Sequence, residues 1–161
     1  MKNTKVIAAF PACGKTYYFE NREEDNIVLD SDSSQFSWRY VRDENGGWRK
    51  ERNPDFPDNY ITHIKSYIGK ADYIFVSTHE EVRKALADAG IDFTVVFPEQ
   101  SLKAERVGRC FLRGSGEAFC KLIADKWDDW ILKLEEEGIV NLRDTYHLQA
   151  GEYLADAMKC L

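Results

Sequence analysis

Short segments that are apolar at nearly every position alternate along the sequence with segments of helical periodicity. We predict strands over residues 5–10, 26–30, 73–77 and 91–97. Strands without a polar face are typical of parallel sheets that are covered on both sides, and the segments between them would form helical crossovers. The sequence therefore predicts a three-layer α/β/α fold with a mainly parallel sheet of four or five strands. Ligands are expected beyond the carboxyl ends of these strands.

Apolar residues at helical spacing predict the helices that connect and follow the strands. Gly69, Gly90 and Gly138 provide stop signals for three of these helices. Residues 139–142 are compatible with a short fifth strand or with a connector, because periodicity does not decide between the two. The predicted helices cover residues 14–24, 58–68, 80–89, 116–137 and 146–161.

The length of 161 residues fits a single domain spanning residues 1–161. A net charge of −6 argues against sequence-independent binding to nucleic-acid phosphates. The apolar runs are far shorter than the roughly 20 residues that cross a bilayer, and the first residues lead into a strand rather than a signal peptide. We therefore expect a soluble, cytoplasmic protein with no membrane partner and no nucleic-acid partner.

The four cysteines show neither a CxxC pair nor metal-type spacing with the histidines. This pattern supports neither a zinc site nor a disulfide framework. Reduced thiols are expected at Cys13, Cys110, Cys120 and Cys160.

The segment Ala9-Phe-Pro-Ala-Cys-Gly-Lys-Thr16 lies between the first predicted strand and the first predicted helix. It resembles the Walker A loop, G-x-x-x-x-G-K-[ST], in the context that this motif requires. In such a loop, main-chain N–H groups face phosphate oxygens, Lys15 adds a positive charge, and the Thr16 hydroxyl can ligate magnesium. The alternative is an ordinary helix start with an exposed lysine. The expected nucleotide-binding residues are Pro11, Ala12, Cys13, Gly14, Lys15, Thr16 and Tyr17.

Two positions depart from the Walker pattern. Ala9 replaces the first glycine, and a positive φ at this position would be strained. The third predicted strand ends in Ser77-Thr-His79, without the aspartate of a Walker B element. Magnesium would then depend on Thr16 together with an aspartate from the second strand, or on water.

Asp30 and Asp32 follow the second predicted strand, at the edge of the sheet where ligands are expected. Small kinases of the shikimate- and nucleoside-kinase type carry a similar acidic pair, and this resemblance implies roles in orienting a magnesium-bound water and in contacting the acceptor. Lys15, Asp30 and Asp32 are thus predicted catalytic residues, and Thr16 and Asp30 are predicted metal ligands. The alternative is a solvated turn that satisfies its own backbone.

Residues 100–116 form a predicted lid-like segment with a basic cluster. Arg106, Arg109 and Arg113 are spaced by three and four residues, so they would share one helix face. Guanidinium groups neutralise the charge that develops during phosphoryl transfer. Adenylate-kinase-like enzymes place their lid in this region, and the resemblance implies a catalytic role for all three arginines. The alternative is a surface helix whose arginines pair with nearby glutamates.

Residues 35–71 form an insertion between the second and third predicted strands. Nucleoside monophosphate kinases carry an acceptor-binding segment here, and the same role is expected by resemblance. Aromatic residues in this region are alternatively part of the core. The candidates are Arg39, Arg42, Arg52 and Arg83 for a phosphate, and Phe36, Trp38 and Tyr60 for a base.

The order of several segments extends the resemblance through most of the chain. These segments are residues 10–16, 30–32, 53–61, 77–83 and 97–103. In them the sequence is similar to the small P-loop kinases of phages and prophages, which are described as nucleotide or adenylate-kinase-like kinases. The resemblance implies a P-loop kinase fold with an arginine-bearing helical lid, ATP as the phosphoryl donor, Mg²⁺, and a (deoxy)nucleoside monophosphate as the acceptor.

Three functions remain open from the sequence. The first is ATP-dependent phosphoryl transfer to a small acceptor, by positioning and electrostatics. The second is a nucleotide-binding regulatory or interaction module with little turnover, which the two departures from the Walker pattern motivate. The third is a kinase that acts on another small molecule or on a nucleic-acid end. The sequence leaves the oligomeric state and the accepted base and sugar undetermined.

Overall fold

The computed structural model describes residues 1–141 and 143–161. The strands are β1 (Lys5–Ala9), β2 (Val28–Asp30), β3 (Trp38–Arg42), β4 (Trp48–Arg52), β5 (Tyr73–Val76), β6 (Thr94–Pro98) and β7 (Thr145–Leu148). The helices are α1 (Lys15–Glu20), α2 (Ser34–Ser37), α3 (Asp58–Tyr67), α4 (Glu80–Asp88), α5 (Lys103–Leu112), α6 (Glu117–Val140) and α7 (Leu154–Ala157). A 3₁₀ turn over Gln100–Leu102 precedes α5.

The main sheet has five strands in the order β2-β5-β1-β6-β7, and every neighbouring pair is parallel. This confirms the predicted mainly parallel sheet and its upper strand number. β1 is central, and its residues Val6 to Ala9 are buried. A strand in this position packs against helices on both faces, which explains why it carries no polar side chain there.

The helices are divided between the two faces of the sheet by the direction of each crossover. The chain moves from β1 to the β2 edge through α1, and then back across the sheet through α3, α4 and α6. With right-handed crossovers, α1 lies on one face and the other three helices lie on the opposite face. In agreement, α1 contacts α7, whereas α3 contacts α4 and α4 is joined to α6 by an ion pair. The fold is therefore α/β, with helices flanking the parallel sheet.

The long helix α6 provides one side of the hydrophobic core. Ile123, Trp127, Ile131 and Leu134 recur at helical spacing and are buried. The indole N–H of Trp127 donates to the Gln100 carbonyl at 2.8 Å, so this large side chain buries no unpaired polar group. The predicted apolar stripe of this helix is confirmed at these positions.

The C-terminal region differs from the prediction of a helix over residues 146–161. Residues 145–148 form β7, which pairs with β6, and only Leu154–Ala157 is α-helical. This pairing provides hydrogen-bond partners for main-chain groups of β6 that would otherwise face solvent. The free energy gained from these long-range hydrogen bonds outweighs the helix propensity of residues 145–148. Of the undecided segment 139–142, the first two residues end α6, Asn141 caps it, and residue 142 lies outside the described residues.

Other boundaries differ from the prediction. α6 continues past the predicted stop at Gly138 to Val140, and β6 covers Thr94–Pro98 rather than 91–97. The first helix covers Lys15–Glu20 rather than 14–24, and the second strand covers Val28–Asp30 rather than 26–30.

The first half of the 35–71 insertion forms an antiparallel hairpin of β3 and β4, which the sequence analysis did not predict. Its turn is built around Asp43, whose Oδ1 accepts from the N–H groups of Asn45 and Gly47, both at 2.8 Å. Gly46 adopts the positive φ, 78°, that such a turn requires. Within the described residues, no helix has the length and apolar character needed to cross a membrane.

Two leucines on α6 provide a matched test of this packing. Leu134 is 3% exposed and Leu132 is 45% exposed. We expect Leu134→Ala to lower the free energy of unfolding by about 2–5 kcal/mol because it leaves a cavity in the core, and Leu132→Ala to change it by less than about 1 kcal/mol. Urea denaturation followed by circular dichroism measures both. Similar losses for the two variants would contradict the described orientation of α6.

Candidate functional site

The loop of residues 10–14, here called the β1–α1 loop, leaves the central strand at the carboxyl edge of the sheet. The connection that leaves β1 runs toward the β2 edge of the sheet, whereas the later strands β6 and β7 are added on the other side of β1. Where the order of strands reverses in this way, a ligand-binding crevice forms at the carboxyl ends of the strands. The Phe10 N–H donates to the Val96 carbonyl at 2.8 Å. The Phe10 ring packs edge-on against Trp127, with 5.4 Å between the centroids. Sheet and core together fix the start of the loop.

The replacement of glycine by Ala9 causes no backbone strain. Ala9 is the last residue of β1, is paired with Val96 and is fully buried. The positive φ angles of the loop lie instead at Ala12, 60°, and at Gly14, 94°. Among the described residues other than glycine, Ala12 alone has a positive φ. The unusual backbone of this loop is therefore concentrated where the chain turns toward α1.

The main chain of this loop presents a series of free donors. Within the described part of the chain, the N–H groups of residues 12–17 donate to no protein acceptor. The first N–H groups of a helix always lack intrahelical partners, and here the preceding loop residues extend the series. Successive free N–H groups bind anions where they form a concave surface.

Lys15 lies across the same loop. Its Nζ donates to the Ala9 carbonyl at 2.8 Å and to the Phe10 carbonyl at 3.4 Å. Loss of water around the ammonium group lowers the pKa of Lys15, and the nearby Cys13 and Asp30 oppose this shift. Burial raises the pKa of the Cys13 thiol, so this thiol is neutral and unreactive. The arrangement holds one cation beside the free N–H groups.

The two predicted carboxylates lie near this cation but differ in their partners. The Thr16 Oγ1 donates to Asp30 Oδ2 at 3.0 Å. Asp32 instead accepts from the N–H and the hydroxyl of Ser34, both at 2.8 Å, at the start of α2. The turn described as the alternative is therefore present, and Asp32 nevertheless lines the same cleft as Asp30. A hydroxyl and a carboxylate are ligands that suit a hard cation such as Mg²⁺.

Arg109 and Tyr153 cover the other side of the loop. The Arg109 guanidinium lies 4.0 Å from the Tyr153 ring centroid and donates to the Glu152 carbonyl at 2.8 Å. A Cβ on Gly14 would lie 3.4 Å from the Tyr153 ring, an ordinary contact distance, so it is the positive φ of 94° that favours glycine at this position. The Leu154 N–H donates to the Cys13 carbonyl at 2.8 Å and joins α7 to the loop.

Arg106 differs from the expectation of a mobile lid residue. It is 2% exposed and donates to the carbonyls of Glu152, 2.8 Å, and Gln149, 3.0 Å. A buried guanidinium needs such acceptors, so Arg106 holds the β7–α7 loop in place and does not line the cleft. Arg113 is exposed, lies over the Phe119 ring and lines the cleft with Arg109.

These groups surround one large cleft of about 1680 Å³. Its floor is the β1–α1 loop, and its volume exceeds the usual size of a small-molecule pocket, about 300–1,000 Å³. The remaining walls combine residues of β2, the hairpin, α4, α5, α6 and α7. Cleft residues that were not expected from the sequence include Phe119, Trp130, Tyr153 and Asp156.

The predicted acceptor residues are only partly brought together. Trp38 and Arg52, at the base of the hairpin, line the cleft. Tyr60 is fully buried, and its hydroxyl donates to the Ser31 carbonyl at 2.6 Å, so it belongs to the core. Phe36 packs against the Tyr60 ring, 5.1 Å between centroids. Arg39 and Arg42 lie on the hairpin and not among the cleft residues.

Arg83 has a structural partner that explains its position. It is 5% exposed and forms two hydrogen bonds with the carboxylate of Glu137, at 2.6 and 2.7 Å. This pair joins α4 to α6. His79, at the start of α4, does line the cleft. Desolvation lowers the pKa of His79, and the neighbouring Lys15 and Arg52 add to the shift, so the neutral imidazole is favoured.

A search of protein families, of curated proteins and of solved structures finds no match to this chain. The function therefore has to be argued from the cleft itself.

The Arg83–Glu137 pair leads to a pH-dependent stability prediction. Glu137→Gln should lower the free energy of unfolding at neutral pH by about 1–3 kcal/mol, because it leaves a buried guanidinium without its carboxylate. Hydrogen bonds from Arg83 lower the pKa of Glu137 from 4.5. Its contribution is therefore fully present above that value and is lost as the pH falls through the lower folded-state pKa. Urea denaturation from neutral to acid pH should show the difference between the two proteins shrinking.

The control is Glu136→Gln, which removes the same charge from an exposed neighbouring residue. It should leave the unfolding free energy nearly unchanged across this range. An effect of Glu137→Gln that does not decrease in acid would contradict the ion-pair explanation.

Proposed function

We propose that this protein transfers the γ-phosphoryl group of ATP, with Mg²⁺, to a small acceptor, and that the acceptor is a (deoxy)nucleoside monophosphate. The observation that carries the proposal is the β1–α1 loop. Its N–H groups over residues 12–17 have no protein acceptor within the described residues, and Ala12 and Gly14 to Tyr17 line one cleft at the carboxyl edge of a parallel sheet. Free N–H groups beside a single cation are suited to a chain of phosphates. On this proposal the fold is that of a P-loop kinase.

The carboxylates have separate roles in this proposal. Asp30, which is hydrogen-bonded to Thr16, would hold Mg²⁺ together with the Thr16 hydroxyl and phosphate oxygens, since Mg²⁺ takes one or two protein ligands plus substrate. When bound, the ion would neutralise charge on the transferring phosphate. Asp32, further along the same edge and fixed by Ser34, would face the acceptor.

Arg109, Arg113 and Tyr153 would act on the donor nucleotide. Tyr153 is 45% exposed beside Gly14, so its ring is available to contact the base or ribose. The two arginines line the cleft and can neutralise the oxygens of the transferring group, a role in which guanidinium groups are effective. Arg106 would contribute as a positioning residue, through the carbonyls that it holds.

Arg52 and Trp38 form the wall where an acceptor would bind. Arg52 can contact its phosphate and Trp38 its base. An ionised oxygen of this phosphate attacks the γ-phosphorus, a new P–O bond forms, and the bond to the bridging oxygen of ADP breaks. Because a phosphate monoester is already largely ionised near neutral pH, the reaction needs no general base.

A nucleotide-binding module with little turnover is the second candidate. The observation that favours it lies at the end of β5, next to the central strand. Ser77 occupies this position, and its hydroxyl is hydrogen-bonded to that of Ser33 at 3.0 Å. A carboxylate there would have been a further group to organise magnesium. Such a protein would bind ATP tightly and release ADP slowly with every acceptor.

Lys15→Ala is expected to reduce ATP affinity and acceptor-dependent ADP release by about a hundredfold, because it removes the cation that would stabilise the charge on the phosphates. Calorimetry with ATP and magnesium measures the first quantity. A coupled assay of ADP release, with each ribo- and deoxyribonucleoside monophosphate in turn, measures the second.

Lys126→Ala, an equal change at an exposed position on α6, should behave as the unmodified protein in both assays. Binding without acceptor-dependent turnover would support the second candidate. The absence of heat with any purine triphosphate would overturn both candidates.

Exchanging the two carboxylates for amides should separate their roles. Asp30→Asn is expected to raise the Mg²⁺ concentration for half-maximal activity about tenfold or more, because a neutral amide is a weaker ligand for a hard cation. Asp32→Asn should instead lower kcat or raise the acceptor KM at an unchanged magnesium requirement. Magnesium titrations of the initial rate at fixed ATP distinguish them. Identical magnesium curves for the two variants would refute the assignment.

A further inference from the structure

The β3–β4 hairpin, residues 38–52, has two faces of very different chemistry. In an antiparallel pair, directly opposed residues project on the same side, and the register places Trp38 opposite Arg52, Tyr40 opposite Lys50 and Arg42 opposite Trp48. All of these side chains are exposed. This face, here called the aromatic face, therefore alternates aromatic rings with cations. None of its own residues is acidic, and Arg52 at its base pairs with Glu81 of α4 at 2.5 Å, which leaves Arg42 and Lys50 without a carboxylate partner among the described residues.

On the opposite face, two arginines share one carboxylate. Arg39 pairs with the carboxylate of Glu51 at 2.7 Å, and Arg49 pairs with the same carboxylate at 3.0 Å. The hairpin as a whole contains five cations and three carboxylates, a net charge of +2 in a chain whose net charge is −6. The hairpin is therefore locally positive in a chain that is negative overall, and three of its five cations, Arg42, Lys50 and Arg52, lie on the aromatic face.

The aromatic side chains on this face are not part of the core. Trp38, Tyr40 and Trp48 are 41%, 67% and 63% exposed, and none of them is among the buried residues of the core. Their contacts within the described chain include cations of the same face: Arg42 lies 4.6 Å from the Trp48 ring centroid and Lys50 lies 5.1 Å from that of Trp38. Large exposed rings are costly to keep in water, so a surface of this composition suggests a binding partner.

We propose that the aromatic face binds single-stranded nucleic acid. Proteins that bind single strands without sequence preference combine cations along the backbone with aromatic rings on which successive bases stack. The aromatic face supplies both in alternation. A single strand fits better than a duplex, because duplex bases are stacked on one another and cannot stack on protein rings.

The hairpin also connects this surface to the cleft. Trp38 and Arg52, at its base, belong to the aromatic face and also line the cleft. A strand lying along the hairpin would thus have one end directed toward the β1–α1 loop. Trp38 and Arg52 are shared with the proposed acceptor site, whereas Tyr40, Trp48 and Lys50 lie outside the cleft and therefore test the binding surface independently of phosphoryl transfer.

The test is fluorescence anisotropy of a labelled oligodeoxythymidylate of about 12 nucleotides, titrated with the full chain without ATP. We expect saturable binding that weakens as salt is raised. The double variant Tyr40→Ala, Trp48→Ala should weaken binding about tenfold or more, because each stacked base contributes substantially. Lys50→Gln should reduce the slope of log affinity against log salt by about 0.7, the value for one phosphate contact on a single strand.

Arg49→Gln is the matched control, because it removes one positive charge from the neighbouring residue on the opposite face. It should leave both the affinity and the slope nearly unchanged. Equal effects of Lys50→Gln and Arg49→Gln would overturn the proposal, as would no binding at low salt or equal affinity for poly-glutamate. Lys15→Ala should bind the oligonucleotide normally, so a failed kinase assay and a failed binding assay remain distinguishable.

Discussion

The parallel pairing of β1 with both β5 and β6 is the constraint on which the site depends. It places the first strand at the centre of the sheet, and the Phe10 N–H bond to Val96 extends that pairing into the following loop. The loop consequently leaves the sheet where the crossovers diverge. One cleft is therefore lined by this loop, by Lys15 and by the carboxylates at the β2 edge, although they come from separate segments of the chain.

The sequence predicts most strongly what is encoded locally. Gly14, Lys15 and Thr16 lie in a strand–loop–helix segment whose shape depends on a few neighbouring residues, so the central strand and the loop residues could be placed in advance. The apolar stripe of α6 could also be predicted, because the spacing of its buried residues follows the helical repeat. Thr16 and Asp30 were predicted to share a metal ion, and their side chains are hydrogen-bonded although β5 lies between β2 and β1.

What the sequence did not predict depends on long-range contacts. Residues 145–148 have no local pattern that distinguishes a strand, and they become one because β6 offers an open edge. With that strand unrecognised, Tyr153 could not be placed beside Gly14. The hairpin is different, because Asn45-Gly46 between alternating residues is a turn signal that could have revealed it. The net charge is limited in a related way, since a sum over the chain contains no information about which face carries each charge.

The hydrogen bonds of Arg106 limit how far α5 can move relative to the cleft. Its guanidinium ties α5 to the carbonyls of Gln149 and Glu152, and the adjoining Leu154 is bonded to the Cys13 carbonyl. A movement of α5 away from this loop would break the hydrogen bonds of the buried Arg106 guanidinium, and leaving such a group without acceptors costs free energy. α6, which follows, is likewise held in the core by Ile123 and Trp127. Arg113 lies between these two fixed helices and is exposed at the cleft, so adjustment to a ligand would come from rotation of its side chain and not from movement of α5.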